Sequence, residues 1–149
     1  MHKNDQTVDH SQHSIETLDA QAYEKHKDCV KLNLSHNSLV VIDVMPNFGN
    51  LRFLDLKFNK LKCIPRIDGL PALEAIDLSF NEIASVDGLA SRSLTRADLS
   101  FNKIVLLDGL DKNVNLVHLN VSHNCISEVR PLSAKHNVSL SVGRVGLVE

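Results

Sequence analysis

The chain has 149 residues, of which 43% are hydrophobic and 23% charged, so it is long enough for one folded domain with a buried core. A formal net charge of -2 at pH 7 argues against direct binding of nucleic acid or of an acidic lipid surface, because such proteins usually carry a concentrated basic excess. No stretch approaches the roughly 18 apolar residues that span a membrane, and the amino terminus lacks the apolar run of a secretory signal, so we expect no membrane insertion and a cytoplasmic or nuclear location.

The cysteines are too few and too scattered to form a framework. Cys29, Cys63 and Cys125 are an odd number and include no CxxC spacing, which fits neither a disulfide scaffold nor a zinc site. We expect three reduced thiols.

The amino-terminal part divides into two predicted segments. Residues 1–13 are polar and show no apolar period, which predicts a disordered tail. In residues 14–28, Ile15, Leu18 and Ala22 fall on one helical face, and Ser14 can cap it. This pattern predicts a helix that covers the open end of the domain that follows.

An eleven-position pattern, LxxLxLxxNxL, dominates the rest of the chain. It occurs five times, with starts 21 or 22 residues apart, and such a period predicts a solenoid of stacked coils. The five copies are CVKLNLSHNSL, LRFLDLKFNKL, LEAIDLSFNEI, LTRADLSFNKI and LVHLNVSHNCI.

Each copy predicts a short strand that begins at its third position. Positions four and six point inward and positions three, five and seven outward, because strand side chains alternate. A whole coil joins successive strands, so the sheet must be parallel. The predicted inward pairs are Leu32/Leu34, Leu54/Leu56, Ile76/Leu78, Ala97/Leu99 and Leu119/Val121; the return halves supply Ile42, Ile64, Val86, Leu107 and Val129, with Ile67, Leu89, Leu110 and Leu132.

An asparagine recurs at position nine, where the chain leaves the strand. A side-chain amide offers both a donor and an acceptor to buried backbone groups that cannot join the sheet, so this column is predicted to be structural. Its members are Asn37, Asn59, Asn81, Asn102 and Asn124.

These residues resemble the leucine-rich repeats over residues 29–149. The repeat length and the IDGL, VDGL and LDGL segments are similar to the short intracellular class typified by the leucine-rich regulatory subunit of protein phosphatase 1. The resemblance implies an α/β fold: a right-handed solenoid with a parallel sheet on its concave face, short helical or irregular segments on its convex face, and a role in binding proteins.

The last coil departs from the pattern. Leu140 and Val142 occupy the inward places, but Val145 stands where asparagine is expected. We therefore expect a degenerate and possibly truncated sixth repeat. The protein would then be a monomer or would associate through an open carboxyl-terminal edge.

No constellation of residues supports catalysis or cofactor binding. None of the eight histidines forms an HExxH motif, and no GxSxG or phosphate-binding glycine loop occurs. His10 and His13 alone would hold a metal weakly, because a third fixed ligand is missing. We therefore expect no enzyme, no cofactor and no metal site.

The outward strand positions are the candidate partner-binding surface. Column five, the fifth position of each copy, carries three aspartates in neighbouring strands, which is either an acidic stripe for a basic partner or a solvated face. In column three, Phe53 is the expected anchor, since an aromatic side chain on an open strand face has no internal role. The candidates on these two columns are Lys31, Phe53, Asp55, Asp77, Arg96, Asp98 and His118.

Column eight reads His36, Phe58, Phe80, Phe101 and His123. Either the phenylalanines form an exposed aromatic ribbon that binds a partner, or they stack as an ordered spine under the turn. Phe58, Phe80 and Phe101 are therefore further candidates for partner binding.

Taken together, the sequence predicts a non-enzymatic interaction module that acts as a scaffold or regulatory subunit by occupying another protein. Two alternatives are open: a regulatory subunit of a Ser/Thr protein phosphatase, or a ribonucleoprotein component held by its protein partner. Direct RNA binding is not expected, because the aspartate column repels phosphate.

Overall fold

Seven parallel strands form one sheet in the computed structural model of the chain, which describes residues 6–127 and 139–142. Each strand has three residues and pairs with the next one along the chain, in the order β1 to β7. The strands are β1 (Thr7–Asp9), β2 (Lys31–Asn33), β3 (Phe53–Asp55), β4 (Ala75–Asp77), β5 (Arg96–Asp98), β6 (His118–Asn120) and β7 (Ser139–Ser141). The predicted leucine-rich solenoid with a parallel sheet is therefore confirmed.

The core lies between the sheet and the return halves of the coils. The inward residues at positions four and six are buried, as are the return residues from Ile42 to Leu110, while Val129 and Leu132 lie outside the described residues. The sequence reading missed the fully buried Phe48. The return halves are otherwise irregular apart from two 3₁₀ helices, Gln21–His26 and Leu110–Lys112.

The tail predicted for residues 1–13 is wrong for its described part, residues 6–13. Strand β1 pairs with β2 so that Val8 lies opposite Leu32, and Val8 packs against the core. The segment is an amino-terminal coil of the solenoid. This coil does not match the repeat pattern, because Val8 and Leu32 are 24 residues apart and because His10 occupies an inward position.

The helix predicted for residues 14–28 is reduced to the 3₁₀ helix Gln21–His26. Ser14 has a positive φ of 54°, and the backbone of Ile15 bonds to the neighbouring coil: its N–H donates to Asn37 Oδ1 and its carbonyl accepts from the Ser38 N–H. A residue held in this way cannot begin a helix. The 3₁₀ helix still contributes to the core, since Tyr23 is buried with its ring 6.3 Å from that of Phe48.

The asparagine column bonds adjacent coils together, as predicted. Asn81 shows the pattern: its Nδ2 donates to the carbonyls of Leu56 at 3.0 Å and Leu78 at 3.1 Å, while its Oδ1 accepts from the Leu61 N–H at 2.9 Å. One side chain therefore satisfies backbone groups of its own coil and of the preceding coil. The same contacts recur at Asn59, Asn102 and Asn124.

A second asparagine has a local role in the return half. Asn113 is buried at the repeat position that Leu70 occupies two coils earlier. Its Nδ2 donates to the Leu89 carbonyl at 2.7 Å and to the Ser91 carbonyl at 3.4 Å. The coil that contains these carbonyls has 21 residues instead of 22. Asn113 thus supplies a donor where the shorter return segment leaves a carbonyl buried, although no described residue provides a partner for its own Oδ1.

The last described coil contains β7, which pairs with β6. Leu140 and Val142 pack partly buried against the core, as the degenerate sixth repeat predicts. Val145 lies outside the described residues, so the open carboxyl-terminal edge stays a prediction.

Candidate functional site

Six of the predicted binding residues share one concavity of about 400 Å³ on the outward face of the sheet. Strand alternation places columns three and five on this face, and the parallel register aligns them across neighbouring strands. The six residues are Lys31, Phe53, Asp55, Asp77, Arg96 and Asp98.

Column three provides the apolar part of this surface. Phe53 is 40% exposed, and the Lys31 ammonium lies 5.7 Å from the centroid of its ring. On the other side of Phe53, the small side chain of Ala75 separates it from Arg96. The concavity therefore has an aromatic side, a guanidinium side and an open floor between them.

Column five has a structural task that the sequence reading missed. Asp77 Oδ1 accepts from both the backbone N–H of Ser79, at 3.0 Å, and its hydroxyl, at 2.6 Å; Asp98 and Ser100 repeat these contacts at 2.9 and 2.6 Å. These local turns end the strands. They also bury Ser100, which was predicted to face outward, so that prediction is wrong.

The second carboxylate oxygen distinguishes the three aspartates. Asp55 Oδ2 lies 3.3 Å from the Lys57 ammonium, and Asp98 Oδ2 accepts a hydrogen bond from Asn120 Nδ2 at 3.0 Å. Among the described residues, none supplies a partner to Asp77 Oδ2. Asp77 is therefore the carboxylate best placed to accept a cation from a partner. The contacts of Asp55 with Lys57 and of Asp98 with Asn120 relieve the like-charge repulsion between the three aspartates.

Column eight lies outside this concavity and forms a continuous stack. All five residues have φ between 53° and 55°, and successive rings lie 4.1 to 4.4 Å apart with interplanar angles of 9° to 16°. The phenylalanines nevertheless remain 39 to 41% exposed. The two interpretations of this column are thus compatible, because Phe58, Phe80 and Phe101 are both a stacked spine and an exposed ribbon.

The remaining candidates lie apart. His118 is exposed beside Arg96 in column three but does not line the concavity. His10 and His13 have ring centroids 5.9 Å apart, and His10 Nδ1 is hydrogen-bonded to the Tyr23 hydroxyl at 2.9 Å. In the part of the chain that the structure describes, no group of three or more potential ligands could hold a metal ion.

The three thiols are unpaired. Cys29 is buried, and burial raises the pKa of its thiol, whereas Cys63 and Cys125 are exposed. Within residues 6–127 and 139–142, no helix is both long and apolar enough to cross a membrane.

Coils joined by a parallel sheet and an asparagine column define a leucine-rich repeat solenoid. Family models described as leucine rich repeat match residues 29–83 and 112–128. Over these two ranges the chain consists of leucine-rich repeats.

Among curated proteins, human lumican is 34% identical over 118 residues, which cover 76% of this chain and 35% of lumican. The chain thus spans about a third of the length of that relative.

Solved structures agree on the fold. The leucine-rich repeat domain of APL1B superposes with a TM-score of 0.67 at 23% identity, covering 93% of this chain and 46% of that one. Internalin InlF of Listeria monocytogenes gives a TM-score of 0.65 at 18% identity, covering 87% of this chain and 45% of that one. The Toll–Spatzle complex of Drosophila gives 0.61 at 23% identity over 76% of this chain and 16% of that one. At such identities these likenesses concern the fold alone.

Proposed function

We propose that the protein is a non-enzymatic module that binds another protein through the outward face of its sheet, as a scaffold or regulatory subunit. Solenoids of this kind present extended concave surfaces for binding. The observation that carries the proposal is the concavity that is lined both by the exposed ring of Phe53 and by Asp77, whose Oδ2 has no partner among the described residues.

The chemistry of this surface favours a partner segment with an apolar side chain next to a Lys or Arg. The apolar group would pack over Ala75 between Phe53 and Arg96, and the cation would reach Asp77 Oδ2. A desolvated aromatic anchor supplies most of the affinity in such contacts, while the charge pair selects the partner.

The test is affinity purification with the native chain and with Phe53→Ser plus Asp77→Lys. We expect the specific partners of the native chain to be lost, because the variant removes the ring and reverses the central charge. A matched control is Val114→Ser plus Asp111→Lys, which replaces an apolar side chain with serine and reverses one charge at exposed residues of a return half. If both variants retain the native set of partners, the outward sheet face is not the binding surface.

The finer assignments stay predictions. Purification of a phosphatase catalytic subunit would support a regulatory role toward that enzyme, and recovery of RNA only together with a protein partner would support a ribonucleoprotein role. We also propose a cytoplasmic or nuclear location, supported by the exposed unpaired thiols of Cys63 and Cys125, which persist most readily in a reducing compartment.

A further inference from the structure

The stacked rings of column eight form a surface of unusual chemistry, which we call the aromatic ribbon: His36, Phe58, Phe80, Phe101 and His123. Each inner ring has both of its faces covered by its neighbours, at centroid distances of 4.1 to 4.4 Å. The exposed 39 to 41% of each phenylalanine is therefore mainly ring edge. Because the edge of an aromatic ring carries partial positive charge, the ribbon favours contact with apolar groups and with anionic or carbonyl oxygens.

The charges on the two sides of the ribbon have opposite sign. Toward the sheet lies the aspartate column. Away from it, two residues beyond each phenylalanine, the chain places Lys60, Glu82 and Lys103 in adjacent coils, and Lys62 follows Lys60 by two residues.

One of these lysines is paired with the glutamate of the border. Lys103 Nζ lies 2.8 Å from Glu82 Oε2. The hydrogen bond from Lys103 lowers the pKa of Glu82 most, and the charges of Lys62 and Lys60 lower it further. This border of the ribbon therefore carries three cations and one anion, and its net charge is positive.

We propose that the aromatic ribbon and its lysine border form a second docking surface, separate from the concavity, for an extended acidic segment of a partner protein. The segment lies along the ribbon with apolar side chains over the phenylalanine edges and carboxylates directed toward Lys60 and Lys62. The concavity selects a cation and the ribbon an anion, so the two surfaces accept segments of opposite charge.

Charge and length determine this occupant. A basic segment would meet like charge on the lysine border and positive ring edges beneath it, which disfavours it. The ribbon spans four centroid steps of 4.1 to 4.4 Å, and an extended chain advances about 3.3 Å per residue, so it accommodates roughly five residues of partner.

The probe is a fluorescein-labelled nine-residue peptide of alternating leucine and glutamate, measured by fluorescence anisotropy against the full chain. A second peptide replaces each glutamate with lysine. We expect the glutamate peptide to bind the native chain more tightly than the lysine peptide, with an affinity that falls as salt is added.

Two variants locate the binding. Lys60→Glu plus Lys62→Glu leaves the Lys103–Glu82 ion pair intact and should lower the affinity for the glutamate peptide on the order of tenfold. Its matched control, Lys27→Glu plus Lys112→Glu, makes the same change in net charge at exposed sites away from the ribbon and should have little effect.

Phe80→Asn removes the central ring with a residue that tolerates the positive φ at this position, and it should also weaken binding. The lysine variants test the proposal even if this one unfolds. The proposal is overturned if the native chain does not bind the glutamate peptide, if the lysine peptide binds as tightly, or if the two double variants weaken binding equally.

Discussion

The amino-terminal coil, residues 6–27, and the five repeats that follow reach the same backbone geometry with different side chains. The repeats fill their inward positions with aliphatic residues and carry an asparagine at position nine, whereas the first coil has Val8 and His10 inward and His13 at position nine. Gln12 still adopts the positive φ found throughout column eight.

This difference shows which contacts determine the backbone conformation of the first coil. Asn37 belongs to the second coil, yet its Oδ1 accepts from the N–H groups of His13 and Ile15, and its Nδ2 donates to the His10 carbonyl. The first coil is therefore shaped by its neighbour, since its own side chains do not supply the ladder. We propose that it serves as a cap and that its partly polar interior makes it less stable than the repeats that follow.

The largest expected effect is in the apolar core. Leu54→Ala in β3 should lower the free energy of unfolding by about 2 to 5 kcal/mol, because Leu54 is buried between two other strands. Val8→Ala, at the same position of the first coil, should cost about 1 kcal/mol, since Val8 is only partly buried. Urea denaturation of both variants measures this difference, and equal losses would contradict the idea of a separate, weaker cap.

The asparagine column should give a smaller effect of the same kind. Asn81→Ala leaves the Leu61 N–H unsatisfied and removes one of the two asparagine donors to each of the carbonyls of Leu56 and Leu78, so we expect a loss of about 1 to 3 kcal/mol. His13→Ala, at the equivalent place in the first coil, should change stability by less than about 0.5 kcal/mol, because the ladder uses only its backbone there. A comparable loss at His13 would show that the cap has its own side-chain ladder.

The smallest and most local effect is a pH dependence of the cap. Burial lowers the pKa of His10, followed by the charges of His26, His13 and Lys25, whereas Asp9 opposes the shift. The unfolded chain therefore binds a proton at this residue more readily than the folded chain. The stability that neutral His10 contributes is complete above its ordinary pKa of 6.5 and is lost as the pH falls through that value toward the lowered folded one.

Hydrogen exchange of the β1 amides measures this effect directly. Between pH 7.5 and 5.5, after correction for the intrinsic exchange rate, we expect protection in β1 to fall while protection in β4 stays constant. His10→Leu introduces the leucine that the next coil carries at the equivalent inward position, Leu34. This variant should lose the additional decrease of exchange protection in β1 at low pH. If the variant shows the same pH dependence as the native chain, His10 does not control the cap.

Much of the candidate binding surface could be predicted from the sequence, as the repeats could. Two-residue alternation was enough to place Phe53, Asp77 and Arg96 on one face, because every strand has the same register. Which carboxylate oxygen remains unpaired could not be predicted, since it depends on the rotamers of Lys57 and Asn120 in neighbouring positions.

The sequence by itself determined the repeating part of this protein: the coil length, the inward residues, the asparagine column and the parallel sheet. It could do so because each of these features repeats in chemistry as well as in spacing. Only the tertiary structure decided the fold of the parts that have the backbone geometry of a repeat but lack its characteristic residues. Residues 7–9 form a strand because β2 is beside them, and Asn113 is buried because the preceding coil is one residue short. In both places the deciding partner is a backbone group of a neighbouring coil, and local sequence carries no signal for that contact.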